Sequence, residues 1–161
     1  MTQNNFPFPS DGKRYYTWNR YLRNEFGKKV YKVALDAGFD CPNRDGTVAF
    51  GGCTFCSAAG SGDFAGNKVD PIPVQFEKIK TKMESKWKDG LTMAYFQAYT
   101  NTHAPLEVLK EKFEAALACE GVMGLSIATR PDCLPDDVVE YLAELNERTY
   151  LWVELGLQTV H

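Results

Sequence analysis

No apolar run in the 161-residue sequence approaches the ~20 residues that a membrane-spanning helix requires. Its start, MTQNNFPFPSDGKRYY, lacks the apolar stretch behind basic residues that marks a secretory signal peptide. With neither feature legible, no membrane partner and a cytoplasmic location are expected. Thiols stay reduced there, so clustered cysteines read as metal-binding or catalytic and not as disulfides. General basicity is missing as well, since the formal net charge is −3. Internal repeats and low-complexity segments are absent. Apolar residues at 44% and charged residues at 24% fit one ordinary soluble domain able to bury a core. The shortage that matters most is of a fourth metal ligand. CPNRDGTVAFGGCTFC, residues 41–56, holds Cys41 and the C-x2-C pair Cys53 and Cys56, three of the five cysteines in the chain. Candidates for a fourth ligand, Cys133, His103 and His161, are scattered far along it.

Positive charge is uneven. Lys13, Arg14, Arg20, Arg23, Lys28, Lys29 and Lys32 crowd the beginning, with Glu25 alone opposing them between Lys13 and Lys32. Tyr15, Tyr16, Trp18, Tyr21 and Tyr31 are interleaved among them. Basic side chains neutralise phosphates and aromatic faces stack on unpaired bases, so residues 1–28 form a basic aromatic segment that suits RNA. Tyr15, Trp18, Leu22 and Phe26 also fall at helical spacing, and an amphipathic helix with its charges in water explains the same residues without RNA.

From residue 29 onward strand-like and helix-like patterns alternate. KVYKVALDAGF reads as a strand closing on Gly38, and the cysteine loop follows it directly through the Gly/Ala/Ser-rich SAAGSGDFAGN. A helix is expected between Pro73 and Gly90 with Phe76, Ile79, Met83 and Trp87 on one face. LTMAYFQAY is a second strand. Pro105 opens a second helix that turns Leu106, Leu109, Phe113 and Leu117 inward and ends before Gly121. VMGLSIATR is a third strand, apolar along nearly its whole length as in a parallel sheet covered on both faces. Pro135 opens a third helix bearing Val138, Leu142 and Leu145, and YLWVELGLQT is a fourth strand. The alternation predicts an α/β fold with a parallel sheet. Four such strands make either a complete small domain or the first part of a larger barrel.

A structural zinc site normally takes four protein ligands, whereas three thiolates on a four-iron cluster leave one iron open to a small molecule. At this point the sequence resembles the radical S-adenosylmethionine superfamily, in which that open iron holds S-adenosylmethionine. The spacing Cys41-x11-Cys53-x2-Cys56 departs from the commonest C-x3-C-x2-C and is similar to the branch that contains the elongator-type tRNA acetyltransferase subunit. CTFC keeps an aromatic residue, Phe55, before the last cysteine. SIATRPD resembles the third-strand TRPD segment of that branch, and VELGLQT its fourth-strand ELGVQS.

The resemblance implies a (βα) partial barrel of which residues 29–161 supply about the first four strands, a half-barrel, with the C-terminal part absent. Whether such a fragment is active by itself is left open. It implies a [4Fe–4S] cluster on Cys41, Cys53 and Cys56, and S-adenosylmethionine held by Phe55, Ser126, Arg130 and Gln158. Where the superfamily has a glycine-rich segment after the second strand this chain has FQAYTNT, so Gln97 and Tyr99 stand in for it. Also implied are an electron donor such as flavodoxin or ferredoxin and, through the basic segment, a tRNA to be modified. No catalytic residue is assigned. The alternative is a zinc-dependent nucleic-acid-binding module without catalysis.

Several residues have two readings. Cys119 reads as a small buried hydrophobe. Cys133 reads as an incidental loop residue or as a thiol able to donate a hydrogen atom. Arg130 can clamp a carboxylate bidentately or simply pair with Asp132. Glu154, between Val153 and Leu155, needs a polar partner inside the barrel. The glycines of GSGDFAG are flexible-loop residues or an anion cradle, and Thr102 or His103 is expected to cap the second helix.

Overall fold

The computed structural model describes residues 12–157, so Gln158 and His161 lie outside the described residues. Helix α1 (Trp18–Phe26) precedes β1 (Val30–Leu35), and then α2 (Ile72–Glu84), β2 (Leu91–Phe96), α3 (Leu106–Leu117) and β3 (Val122–Thr129) follow. After a single 3-10 turn (Pro131–Cys133) come α4 (Asp136–Arg148) and β4 (Tyr150–Leu155). The strands are all parallel and stand in chain order, β1-β2-β3-β4. Crossovers between parallel strands are right-handed almost without exception, so an order that never reverses sends every intervening helix to the same face.

That face carries the main core. Tyr31, Val33 and Leu35 of β1, Ala94 and Phe96 of β2, and Leu125 and Ile127 of β3 pack against Phe76 of α2, Leu109 and Phe113 of α3, and Val138, Leu142 and Leu145 of α4. The expected helical stripes hold, with one adjustment: α2 ends at Glu84, and Trp87 beyond it reaches the core by packing on Tyr31 with ring centroids 5.5 Å apart. The prolines act as anticipated, Pro105 and Pro135 standing at the N-cap positions of α3 and α4. Neither Thr102 nor His103 caps α3, which has no side-chain cap. Both residues are engaged elsewhere, as described below.

Among the described residues, α1 covers the N-terminal end of the opposite face. Trp18, Tyr21, Leu22 and Phe26 pack there against Val30, Leu91, Met93, Met123 and Tyr150. The Trp18 and Trp152 rings lie 3.9 Å apart, and Phe26 meets Tyr150 edge-on. Thr17 caps the helix by accepting a hydrogen bond from the Arg20 amide, and Gly27 ends it at φ +68°. Tyr15, expected on the buried stripe, precedes the helix and is exposed. Trp18, Tyr21 and Tyr31 point into the protein, which leaves Tyr15 and Tyr16 as exposed rings of the aromatic series.

Between β2 and β3 the register slips: Thr92 pairs with Val122 but Ala94 pairs with Leu125, so β3 carries one extra residue, a bulge. Gly124 lies in that bulge beside Tyr150, its partner on β4. A Cβ on Gly124 would stand 2.2 Å from the Tyr150 carbonyl oxygen, and this is backbone that cannot swing aside. Gly124→Ala is therefore expected to destabilise the fold by about 2–3 kcal/mol, the upper range for overpacking, in urea unfolding. A loss under ~0.5 kcal/mol would show that the bulge does not hold β3 and β4 at this distance.

Candidate functional site

The C-terminal ends of the strands surround a cavity of about 670 Å³. The loop after β1 supplies Cys41, Cys53, Phe55 and Cys56 to it, β2 and its exit give Tyr95, Gln97 and Tyr99, and β3 and β4 end at it with Arg130 and Glu154. Sites in parallel βα folds collect at this end, where the loops diverge. Of the residues expected to bind cofactor, Phe55, Gln97 and Arg130 thus share one cavity with all three loop cysteines. Ser126 lies one step below, fully buried, and donates to Glu154.

The cysteine loop is held by its own hydrogen bonds. The Cys41 carbonyl accepts from the Arg44 and Asp45 amides, and the Pro42 carbonyl from those of Val48 and Ala49. Asn43 donates its side-chain amide to the Cys53 sulfur at 3.0 Å. Arg44 reaches across the loop to the carbonyls of Ser57 and Ala58. The Cys56 and Ser61 side chains approach to 3.7 Å. Two of its ties run to the segment after β2. Tyr99, in the left-handed region at φ +61°, takes the Gly60 carbonyl on its amide and donates its hydroxyl to the Ala58 carbonyl. His103 pairs with Asp45 at 2.6 Å. The Asp45 carboxyl is held down at about 2, chiefly by hydrogen bonds from Thr47 and then by His103.

The glycine-rich stretch packs closely against its neighbours and is not loose filler. A Cβ on Gly62 would meet that of Ala98 at 2.6 Å, and one on Gly66 would meet the Gln75 side chain. These glycines let the loop lie flat against the end of β2 and the start of α2. Gln75, buried and unremarked in the sequence, bonds to both the amide and the carbonyl of Asp36 and so closes the exit of β1.

Arg130 forms the two-pronged pair with Asp132 that was one of its two expected roles, through Nε at 2.8 Å and Nη2. Cys133 ends the turn that follows β3. It is buried within the 3-10 turn, and burial, followed by the charge of Asp132, pushes its thiol up to about 11. Thr102 joins the same turn, its hydroxyl contacting Thr129 and donating to the Cys133 carbonyl. Cys119 packs partly buried against the core, as expected.

The polar partner required by Glu154 is in place: its carboxylate takes hydrogen bonds from Lys32, Tyr95 and Ser126, one from each of the other strands. Lys32 therefore belongs to the interior and not to the basic surface. It occupies an inward position of the period-2 pattern in VYKVAL, a signal visible in the sequence when set beside Glu154. The basic helix α1 and the thiols lie at opposite ends of the strands, about 20 Å apart for six residues at ~3.3 Å each.

All five cysteines are free. Among the described residues no three Cys, His, Asp or Glu side chains are grouped to hold a metal ion, and no helix is long and apolar enough to cross a membrane. In the reduced chain at pH 8, Cys133 is buried with only about a thousandth of its thiol ionised, and it is expected to react with iodoacetamide far more slowly than the same thiol in the urea-unfolded chain, read by peptide mass spectrometry. Equal rates would contradict its burial.

The chain is 74% identical over 162 residues to the uncharacterized protein YtqA of Bacillus subtilis (strain 168), covering 100% of this chain and 50% of that protein. Protein YhcC of Escherichia coli (strain K12) is 41% identical over 141 residues, 87% of this chain and 44% of its own length. The uncharacterized protein MJ0486 of Methanocaldococcus jannaschii is 37% identical over 155 residues, 94% of this chain and 47% of its own. No family model and no solved structure matches. The chain spans about half the length of the curated relatives it matches.

Proposed function

We propose that this chain is the cofactor-binding half-barrel of a radical S-adenosylmethionine enzyme, with Cys41, Cys53 and Cys56 as ligands of a [4Fe–4S] cluster. The observation that carries the reading is the gathering of three free thiols, from one loop at the C-terminal ends of a parallel sheet in unreversed order, around a single cavity. The donor set fits the group, because soft thiolates are the ligands of iron–sulfur clusters. A four-iron cluster takes each thiolate on a different iron, so its ligands surround a space and do not converge on a point. The three thiols line one cavity, an arrangement that suits such a cluster.

With S-adenosylmethionine bound at the open iron, the reduced cluster would supply a 5′-deoxyadenosyl radical able to take a hydrogen atom from the molecule acted on. The residues of the chain provide position and exclude water. Phe55 and Gln97 offer a ring and an amide at the cavity wall. Arg130, anchored by Asp132, sets a guanidinium at the same wall with little freedom left to move. Gln158, outside the described residues, is the remaining cofactor contact that the resemblance implies. The relatives' greater length is consistent with further strands that close the barrel. A flavodoxin- or ferredoxin-type donor would supply the electron, in the cytoplasm.

The molecule acted on is proposed to be a tRNA, with phosphates held by the basic segment. Because α1 sits at the far end of the strands, an RNA touching both that segment and the cavity mouth must pass around the edge of the sheet. Three of the five rings once available for base stacking point inward, so charge and not stacking would dominate such a contact.

Anaerobic reconstitution with iron and sulfide should give a brown chain. Cys41→Ala, Cys53→Ala and Cys56→Ala should each lose most of the iron and the visible absorption, while Cys119→Ala retains both. Reconstitution of Cys41→Ala to the level of the parent, or stoichiometric zinc without iron, would sink the assignment.

A further inference from the structure

Lys32 and Glu154 place two charges on the inner face of the sheet, where a pair of apolar side chains of equal volume would serve stability at least as well. The arrangement around them is directional. Glu154 Oε1 accepts from Lys32 and from the Ser126 hydroxyl at 3.0 Å, whereas among the described residues Oε2 accepts from the Tyr95 hydroxyl alone, at 2.9 Å. A carboxylate has about four acceptor sites, so one remains on Oε2. Glu154 and Tyr95 line the cavity, while Lys32 and Ser126 are not part of its lining. The Lys32 ammonium is fixed by aromatic faces, 3.9 Å from the Tyr95 ring centroid and 5.6 Å from that of Trp18. Tyr95 spends its proton on Glu154, so its oxygen also faces a ligand as an acceptor.

We propose that Glu154 and Tyr95 form a ligand subsite at the floor of the cavity. It takes a group that donates hydrogen bonds, a hydroxyl or an ammonium, and Lys32 and Ser126 act as positioning residues behind it. The subsite needs no cluster and stands apart from the preceding reading. Lys32 on β1, Tyr95 on β2 and Ser126 on β3 face the carboxylate, and Arg44, Arg130 and Asp132 are the charged groups elsewhere on the cavity wall. Burial pushes the Glu154 carboxyl up, and the hydrogen bond and charge of Lys32, together with the hydrogen bonds from Tyr95 and Ser126, more than offset this, so it titrates below the ordinary 4.5. Burial and the Glu154 charge raise Tyr95, which stays a phenol. The acceptor is therefore present at neutral pH and lost as pH falls through the lowered value. Without Lys32 the loss moves to higher pH.

The test uses the chain with ¹³C-carboxyl glutamate, the Glu154 signal being assigned by its absence in Glu154→Gln. Tris(hydroxymethyl)aminomethane, rich in donors, should shift the Glu154 carboxyl and the Tyr95 ring signals saturably, and dimethyl sulfoxide, an acceptor only, should not. Glu154→Gln should weaken the Tris response about tenfold or more, as loss of a hydrogen bond to a charged group implies. Tyr95→Phe, which keeps the ring, should weaken it severalfold. Lys32→Met should raise the Glu154 midpoint and weaken Tris binding, and Lys32→Arg should restore both. Amide spectra away from the floor serve as the folding control. An equal response to dimethyl sulfoxide, or undiminished Tris binding in Glu154→Gln, overturns the subsite. A Lys32→Met chain that is merely less stable, with midpoint and Tris affinity unchanged, overturns the positioning role. Displacement of Tris by S-adenosylmethionine would assign the donor group to that cofactor, and failure to displace it to the molecule acted on. Both results support the subsite.

Discussion

When parallel strands follow one another in unreversed order, the right-handedness of each crossover forces all the connecting helices onto one side. The rest of this structure depends on that constraint. One face of the sheet becomes the main core with α2, α3 and α4, and among the described residues the other is packed by α1 at its N-terminal end. Helix α1 covers the N-terminal half with Trp18, Leu22 and Phe26, and the cavity lies at the other end, where the strands end. The thiol loop leaves β1 at that end. The bulge at Gly124 lets β4 come close enough to complete the wall.

Charge on such a face has to be weighed. At an effective dielectric near 20, an ion pair at ~4 Å gains about 4 kcal/mol, and taking each ion out of water costs several. The Lys32 and Glu154 side chains keep 24% and 31% of their exposure, which softens both terms, so the pair stands near balance. Its consequence is geometric: one carboxylate is oriented by groups from three other strands. At the rim Arg130 is fixed by Asp132 within the loop after β3, His103 with Asp45 joins the loops after β2 and β1, and Thr102 donating to the Cys133 carbonyl joins those after β2 and β3. The cavity is bounded mainly by side chains whose orientations are already fixed.

Much of this was legible in the sequence because it is local. Helix starts followed the prolines, strand faces followed period 2, and the loop holding Cys41, Cys53 and Cys56 fell after the first strand as the chain order required. Glu154 announced a polar partner by standing between Val153 and Leu155. Long-range choices were not legible. Helical spacing gave α1 an apolar stripe but not the partner it covers, so Trp18, Tyr21 and Tyr31 resembled stacking surfaces until the sheet was there to receive them. His103 resembled a cap because the sequence shows its neighbour Pro105 and not Asp45, which lies 58 residues away. The glycines of GSGDFAG read as loose because the side chains of Ala98 and Gln75, against which they lie, are distant in the chain.

The central claim is that the three loop thiols hold a four-iron cluster with one iron left for a small molecule. Mössbauer spectroscopy of the ⁵⁷Fe-reconstituted parent chain, recorded with and without S-adenosylmethionine, tests it most directly. The account predicts a [4Fe–4S] signature in which about one quarter of the iron signal shifts when S-adenosylmethionine is added. Four equivalent irons indifferent to it, or a chain that takes up zinc and no cluster, would contradict the account.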